Sequence, residues 1–271
     1  MFNVILSLWL RFPGHLASAF AILWLAGCSK KPEPTPTVVS PPSSESAKTF
    51  QPSSTAPNEK RIAEDYERAL SIIRQFGGKI EQDPNLPGQP VVAIDLGGKP
   101  VSDEGLAQLG GLTDVRSLNL GGNEPKITDA GLVHLKAFKK LETLLLPPVA
   151  ATDKGLAQVA ELTTLKNLDI GFFSPATDTG FGHLKRLTSL KSLNVSYTAI
   201  GDAGLEQLKE LPNLETLTLN STKVTDAGLE HLRGMKSLRY LALGECNVTK
   251  EGKQKLHLAL PQCDIPFPAD R

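Results

Sequence analysis

Apolar residues return along most of this chain at a fixed interval. Seven short segments, "VVAIDL", "VRSLNL", "LETLLL", "LKNLDI", "LKSLNV", "LETLTL" and "LRYLAL", begin at Val91, Val115, Leu141, Leu165, Leu190, Leu214 and Leu238, 24 to 26 residues apart. Each has apolar residues at its first, fourth and sixth places, the signature of a short strand with one face inward. Between them run "VSDEGLAQLGG", "ITDAGLVHLKA", "ATDKGLAQVAE", "ATDTGFGHLKR", "IGDAGLEQLKE" and "VTDAGLEHLRG". In the last of these Leu229 and Leu232 sit at helical spacing and are expected inside with Leu238, Leu241 and Leu243. A strand, a loop and a returning helix at this period predict stacked coils that share one core.

One feature opposes helix formation. Gly105, Gly131, Gly155, Gly180, Gly204, Gly228 and Gly252 hold the same place just inside seven successive helices, where glycine costs about 1 kcal/mol relative to alanine. The expectation is that the neighbouring coil leaves no room for a β-carbon. Thr225 or Asp226 is expected to cap its helix, and capping is taken to account for the matching aspartates.

Both ends of the array break the pattern. In "RIAEDYERALSIIRQFGG" the residues Ile62, Tyr66, Leu70, Ile73 and Phe76 follow helical spacing, with Gly77-Gly78 as the stop. "KIEQD" predicts a short strand and "PNLPGQP" a turn, together a cap over the open end. At the other end "LHLALPQCDIPF" predicts a last partial strand with Cys263, Ile265 and Phe267 facing in.

The first residues have another character. "LASAFAILWLAGC" is an apolar run ending in Leu25-Ala26-Gly27-Cys28, which resembles the bacterial lipobox and implies lipid on Cys28 after cleavage. An ordinary signal or anchor is the alternative, although Leu16 to Gly27 is short for a span. From Ser29 on, proline, serine and threonine dominate, as in an extended tether. The expected organisation is a signal peptide over 1–27, lipidated cysteine and tether over 28–57, a helix–strand cap over 58–90 and the repeats over 91–271. By the usual bacterial sorting logic, Ser29 after the lipidated cysteine implies the outer membrane.

From Val91 onward the chain resembles the leucine-rich repeats of bacterial envelope proteins that carry "TDAGL" units, similar to the cysteine-containing subtype. The resemblance implies an α/β leucine-rich repeat solenoid, with a curved parallel sheet on the concave face, helices on the convex face and an N-terminal helical cap. It implies protein interaction or ligand display and supplies no catalytic residues. The chain departs from the subtype at the place before the last apolar residue. That place is Cys246 once and elsewhere Thr198, Thr222, Val149 or Lys99, so no ladder of asparagines or cysteines ties the coils there, and threonine hydroxyls are a partial substitute.

Composition narrows the functional classes. Basic and acidic residues number 29 each, so no net field favours nucleic acid or an anionic membrane surface. His134, His183 and His231 share one helical position but lie two coils apart, roughly 10 Å at strand spacing, too far to share a zinc ion. Aligned coils put Cys263 beside Arg239 and well away from Cys246, which predicts two buried free thiols. No catalytic, metal or cofactor site is expected, and the chain is read as a monomer and not as an enzyme. Binding is assigned to strand residues between the buried positions: Asn119, Asn167, Asp169, Asn194, Thr218 and Tyr240. Beside them charges alternate in sign, from Arg116 to Arg239. A second candidate lies on one rim, where the long loop "GFFSPAT" brings Phe172 and Phe173 near Tyr197. Those rings either fold back to fill the loop or stand exposed as an anchor for a partner. The functional expectation is a lipid-anchored envelope protein that binds an unidentified protein partner and touches the membrane through its lipid only. The alternative is a structural envelope component that binds cell-wall polymer or glycan.

Overall fold

In the computed structural model, the described residues are 56–122, 127–146, 148, 150–172 and 176–266. Helix α1 (Ala56–Phe76) opens the fold. It stops where Gly77 turns to a φ of 69° and the N–H groups of Gly77 and Gly78 bond the carbonyls of Arg74 and Ile73, a glycine-closed C-terminus. Its inward stripe is Ala69, Leu70 and Ile73, with Tyr66 and Phe76 packed alongside, whereas Ile62 is 56% exposed. The helical period ran one turn further toward the N-terminus than the burial does.

Strand β1 (Lys79–Gln82) pairs antiparallel with β2 (Val91–Asp95). Then come β3 (Ser117–Asn119), β4 (Thr143–Leu145), β5 (Asn167–Asp169), β6 (Ser192–Asn194), β7 (Thr216–Thr218) and β8 (Tyr240–Ala242), each parallel to the one before. The sheet order is the chain order. After each strand from β2 the chain returns through a short helix: α2 (Asp103–Ala107), α3 (Asp129–Leu132), α4 (Asp153–Val159), α5 (Asp178–Phe181), α6 (Asp202–Leu208), α7 (Asp226–Leu232) and α8 (Lys250–Ala259). In α2, α3 and α5 the last turn tightens to 3-10 geometry. Crossing from one parallel strand to the next requires such a connection.

The core is built from the repeating positions. The first apolar residue of each unit, from Val91 to Leu238, is at most 1% exposed, and Leu229, Leu232, Leu241 and Leu243 are buried with them. At about 1.5–3 kcal/mol for each large apolar side chain taken from water, neighbouring coils stabilise one another.

What joins the coils is a carboxylate. The Asp103 Oδ1 accepts from the Thr128 N–H at 2.8 Å, and Oδ2 accepts from the Thr128 hydroxyl at 2.6 Å. The same pair of bonds links Asp129 to Thr152, Asp153 to Thr177, Asp202 to Thr225 and Asp226 to Thr249. Asp178 faces Gly201 and receives only the N–H bond. Capping is done by the preceding residue: Ser102, Thr128, Thr152, Thr177, Thr225 and Thr249 each accept from an N–H of their own helix. The expectation that capping explains the aspartates is therefore corrected. They reach forward to the next coil, and at the start of α8 Lys250 stands in the aspartate place.

The repeated glycine follows from this link. A β-carbon on Gly131, Gly155, Gly180, Gly204, Gly228 or Gly252 would come within 3.0 Å of Oδ1 of the preceding coil's aspartate. Gly105, with no such coil before it, meets the Phe76 ring of the cap instead. Gly111 lies under the Asp65–Tyr66 backbone of α1, again closer than a β-carbon allows.

At the place before the last apolar residue, the Thr198 and Thr222 hydroxyls donate to Val195 and Leu219 carbonyls within their own coils. Between coils the Cys246 thiol donates to the Leu219 carbonyl at 3.0 Å and lies 3.3 Å from the Thr222 hydroxyl. Both cysteines of the repeat array are free thiols; Cys263 is buried as expected, but Cys246 is only half-buried. Burial, with Asp264 nearby, pushes the Cys263 thiol up to about 11. The last partial strand forms as one bridge, Tyr240 to Asp264, which sets Cys263 beside Arg239 and buries Ile265. Phe267 lies outside the described residues, as do Cys28, the signal and the tether up to residue 55, whereas Ala56 and Pro57, expected in the tether, already belong to α1.

Candidate binding face and rim

Strand register sorts the outward side chains into two rows. One row contains Ser117, Thr143, Asn167, Ser192, Thr216 and Tyr240; the other contains Asp95, Asn119, Leu145, Asp169, Asn194 and Thr218. Of the proposed face, Asn167 and Tyr240 thus share one row, and Asn119, Asp169, Asn194 and Thr218 share the other. Several already hold the backbone. The Asn119 Oδ1 accepts from the Gly121 N–H, the Asp169 Oδ1 from Gly171 and the Asn194 Oδ1 from Ser196, each at 2.9–3.0 Å. Asn167 donates to the Thr143 hydroxyl. Burial raises the Asp169 carboxyl above its ordinary value, opposed by the Gly171 N–H and the Asn194 amide. The flanking charges neutralise one another in part, with Lys166 2.9 Å from Glu142 and Lys191 3.2 Å from Glu215.

The rim after the strands is more unusual. There the backbone enters the left-handed region at the same place in six coils, at Gly98, Gly122, Phe172, Tyr197, Ser221 and Glu245, with φ between 54° and 74°; the coil after β4 has Pro148 there. The turn continues the ladder beyond the sheet, the N–H of Phe172, Tyr197 and Ser221 donating to the carbonyls of Ser196, Asn220 and Gly244. Glycine is the residue suited to this conformation, which costs other residues roughly 1–2 kcal/mol. Two coils nevertheless place an aromatic ring there. Phe172 and Tyr197 stack face to face, centroids 4.5 Å apart and planes 5° from parallel, and each is 44% exposed. They fold onto each other. Phe173 lies outside the described residues. In the next two coils the Ser221 hydroxyl donates to the Glu245 carboxylate. Ser221 and Glu245 were missed by sequence reasoning, yet aligning them under Gly98 and Gly122 gives the signal that exposes the shared backbone conformation.

The order of the sheet and the comparisons agree. The fold is an α/β leucine-rich repeat solenoid. A family model described as Leucine rich repeat matches residues 188–248. Among solved structures, an internalin C2 from Listeria monocytogenes is similar, with a TM-score of 0.54 and 21% identity over 75% of this chain and 84% of that one. A plant peptide hormone receptor, RGFR1 in complex with RGF2, aligns over 52% of this chain and 22% of that one, with 13% identity and a TM-score of 0.38. No curated protein matches the sequence. Leucine-rich repeats are binding scaffolds in general, and the likeness extends to the fold alone. Among the described residues no cluster of His, Cys, Asp and Glu forms a metal site, and no helix is long and apolar enough to cross a membrane.

Proposed function

We propose that this leucine-rich repeat protein is a lipid-anchored, non-catalytic scaffold of the bacterial cell envelope that captures a protein partner on its loop rim. The observation that carries the reading is the Phe172–Tyr197 stack, two exposed rings on backbone that favours glycine. Exposed aromatic anchors dominate protein interfaces, and unfavourable backbone is retained where something else requires the side chain. Lipid on Cys28 and the tether beyond it place the solenoid at the outer membrane, and the polar strand rows serve as its soluble flank.

A photo-crosslinking residue at Lys223, beside the rim, in intact envelopes tests this. One defined protein in the adduct is the expected result. Peptidoglycan or polysaccharide in its place would overturn it in favour of a structural role in binding cell-wall polymer. Replacing Cys28 with alanine is expected to release the protein from the membrane fraction; continued retention would sink the lipid anchor.

A further inference from the structure

We infer that the rim holds a slot for an arginine side chain of the partner, between the outer face of Tyr197 and the Glu245 carboxylate. The inference rests on the protein-binding reading above and names the chemistry of its contact.

The geometry begins with the row of left-handed turns. Tyr197, Ser221 and Glu245 occupy the same place in three successive coils, and Phe172 precedes them by one more. The two rings stack at 4.5 Å, close to the spacing of neighbouring strands, so the stacking direction runs along the row. One face of Tyr197 is covered by Phe172, and its second face therefore looks toward the next coil. That coil supplies Ser221, whose side chain is too short to cover a ring. Glu245 stands one coil further, about 10 Å from Tyr197 along the row at strand spacing. Its carboxylate reaches back to the Ser221 hydroxyl, so it stands beside the layer that a planar group on Tyr197 would occupy.

Charge defines what that layer is. The Glu245 Oε2 accepts from the Ser221 hydroxyl, which fixes the carboxylate beside the gap, and among the described residues no cation pairs with it. A guanidinium is planar, stacks on an aromatic face through cation–π attraction and donates two N–H bonds to a carboxylate. It extends the pile from Phe172 and Tyr197 by one layer and turns its in-plane N–H edge to the Glu245 carboxylate beside it. A lysine ammonium has the charge without the plane, and a sugar ring offers hydroxyl donors without the charge.

The test uses the full chain and capped Gly-Gly-Arg-Gly-Gly, with lysine and citrulline versions, by saturation-transfer NMR titration. Citrulline keeps the plane and removes the charge. Arginine is expected to bind more tightly than lysine, and lysine more tightly than citrulline. Tyr197→Gly and Glu245→Gln are each expected to weaken the arginine peptide by roughly fivefold or more. Glycine suits the left-handed turn, so Tyr197→Gly is expected to fold; should it not, Glu245→Gln decides alone. Equal affinity for arginine and citrulline, no saturable binding, or binding unchanged in the variants would overturn the slot. Saturable binding of chitotriose that is lost in Tyr197→Gly, without an arginine response, would overturn it as well. A single envelope protein still crosslinked by Tyr197→Gly and Glu245→Gln variants at full yield would sink the slot and leave the scaffold reading standing.

Discussion

Gly228 and Asp202 show how one residue sets the terms for another. The carboxylate holds Thr225 with two bonds, and that grip puts its oxygen where a β-carbon of Gly228 would be. Gly228→Val is expected to destabilise by about 1–3 kcal/mol through overpacking, read as a lower midpoint in urea. With Asp202→Ala added, the combined loss is expected to be smaller than the sum of the two, because the second change removes what the new side chain strikes. Additive losses would locate the obstruction elsewhere. Asp226 offers a pH test. The Thr249 hydroxyl and N–H hold its carboxyl below the ordinary value, helped by Lys255. The folded protein thus binds this proton less tightly than the unfolded chain. The contribution is complete above the unfolded value of about 4 and fades as pH falls through the lower folded value. Between pH 7 and pH 3, Asp226→Asn is expected to lose less stability than the parent chain. The glycine was legible as a repeated exception to helix propensity. Its partner was not, because an aspartate after a threonine serves a cap and an inter-coil bond with the same letters.

At the scale of elements, α1 and the rim turns carry the contrasts. Helix α1 closes the first coil with Ile73, 1% exposed, and with Phe76 against Gly105. Ile73→Ala is expected to cost about 2–5 kcal/mol and to raise dye binding at the exposed end. A change within error would mean that the cap does not seal the core. The helix itself and its glycine stop were readable from spacing. That Ile62 faces water was not, because the coil beneath α1 ends before it. The rim turns are the reverse case. Losing the ring stack costs about 0.5–1.5 kcal/mol, and relieving left-handed strain returns about as much. Tyr197→Gly is therefore expected to shift the melting temperature by only a few degrees. A large drop would make the ring a structural support of the fold.

Across the whole molecule, stability is shared between neighbours, so central coils are expected to outlast the ends. Hydrogen exchange should be slower at Val195, whose N–H bonds Thr218 in the middle of the array, than at Leu241, which bonds Asp264 at the last bridge. Uniform protection would mean that the coils open as one block. The sequence by itself determined the period, the parallel order and the buried rows, because each depends on which side chains leave water, and that choice is written locally every two dozen residues. Tertiary structure alone decided which aspartate reaches which threonine, which strand amides are spent on backbone, and that Phe172 stacks on Tyr197 while Ser221 bonds Glu245. Those relations join residues from different coils, where direction and distance follow from stacking and no single stretch of chain encodes them.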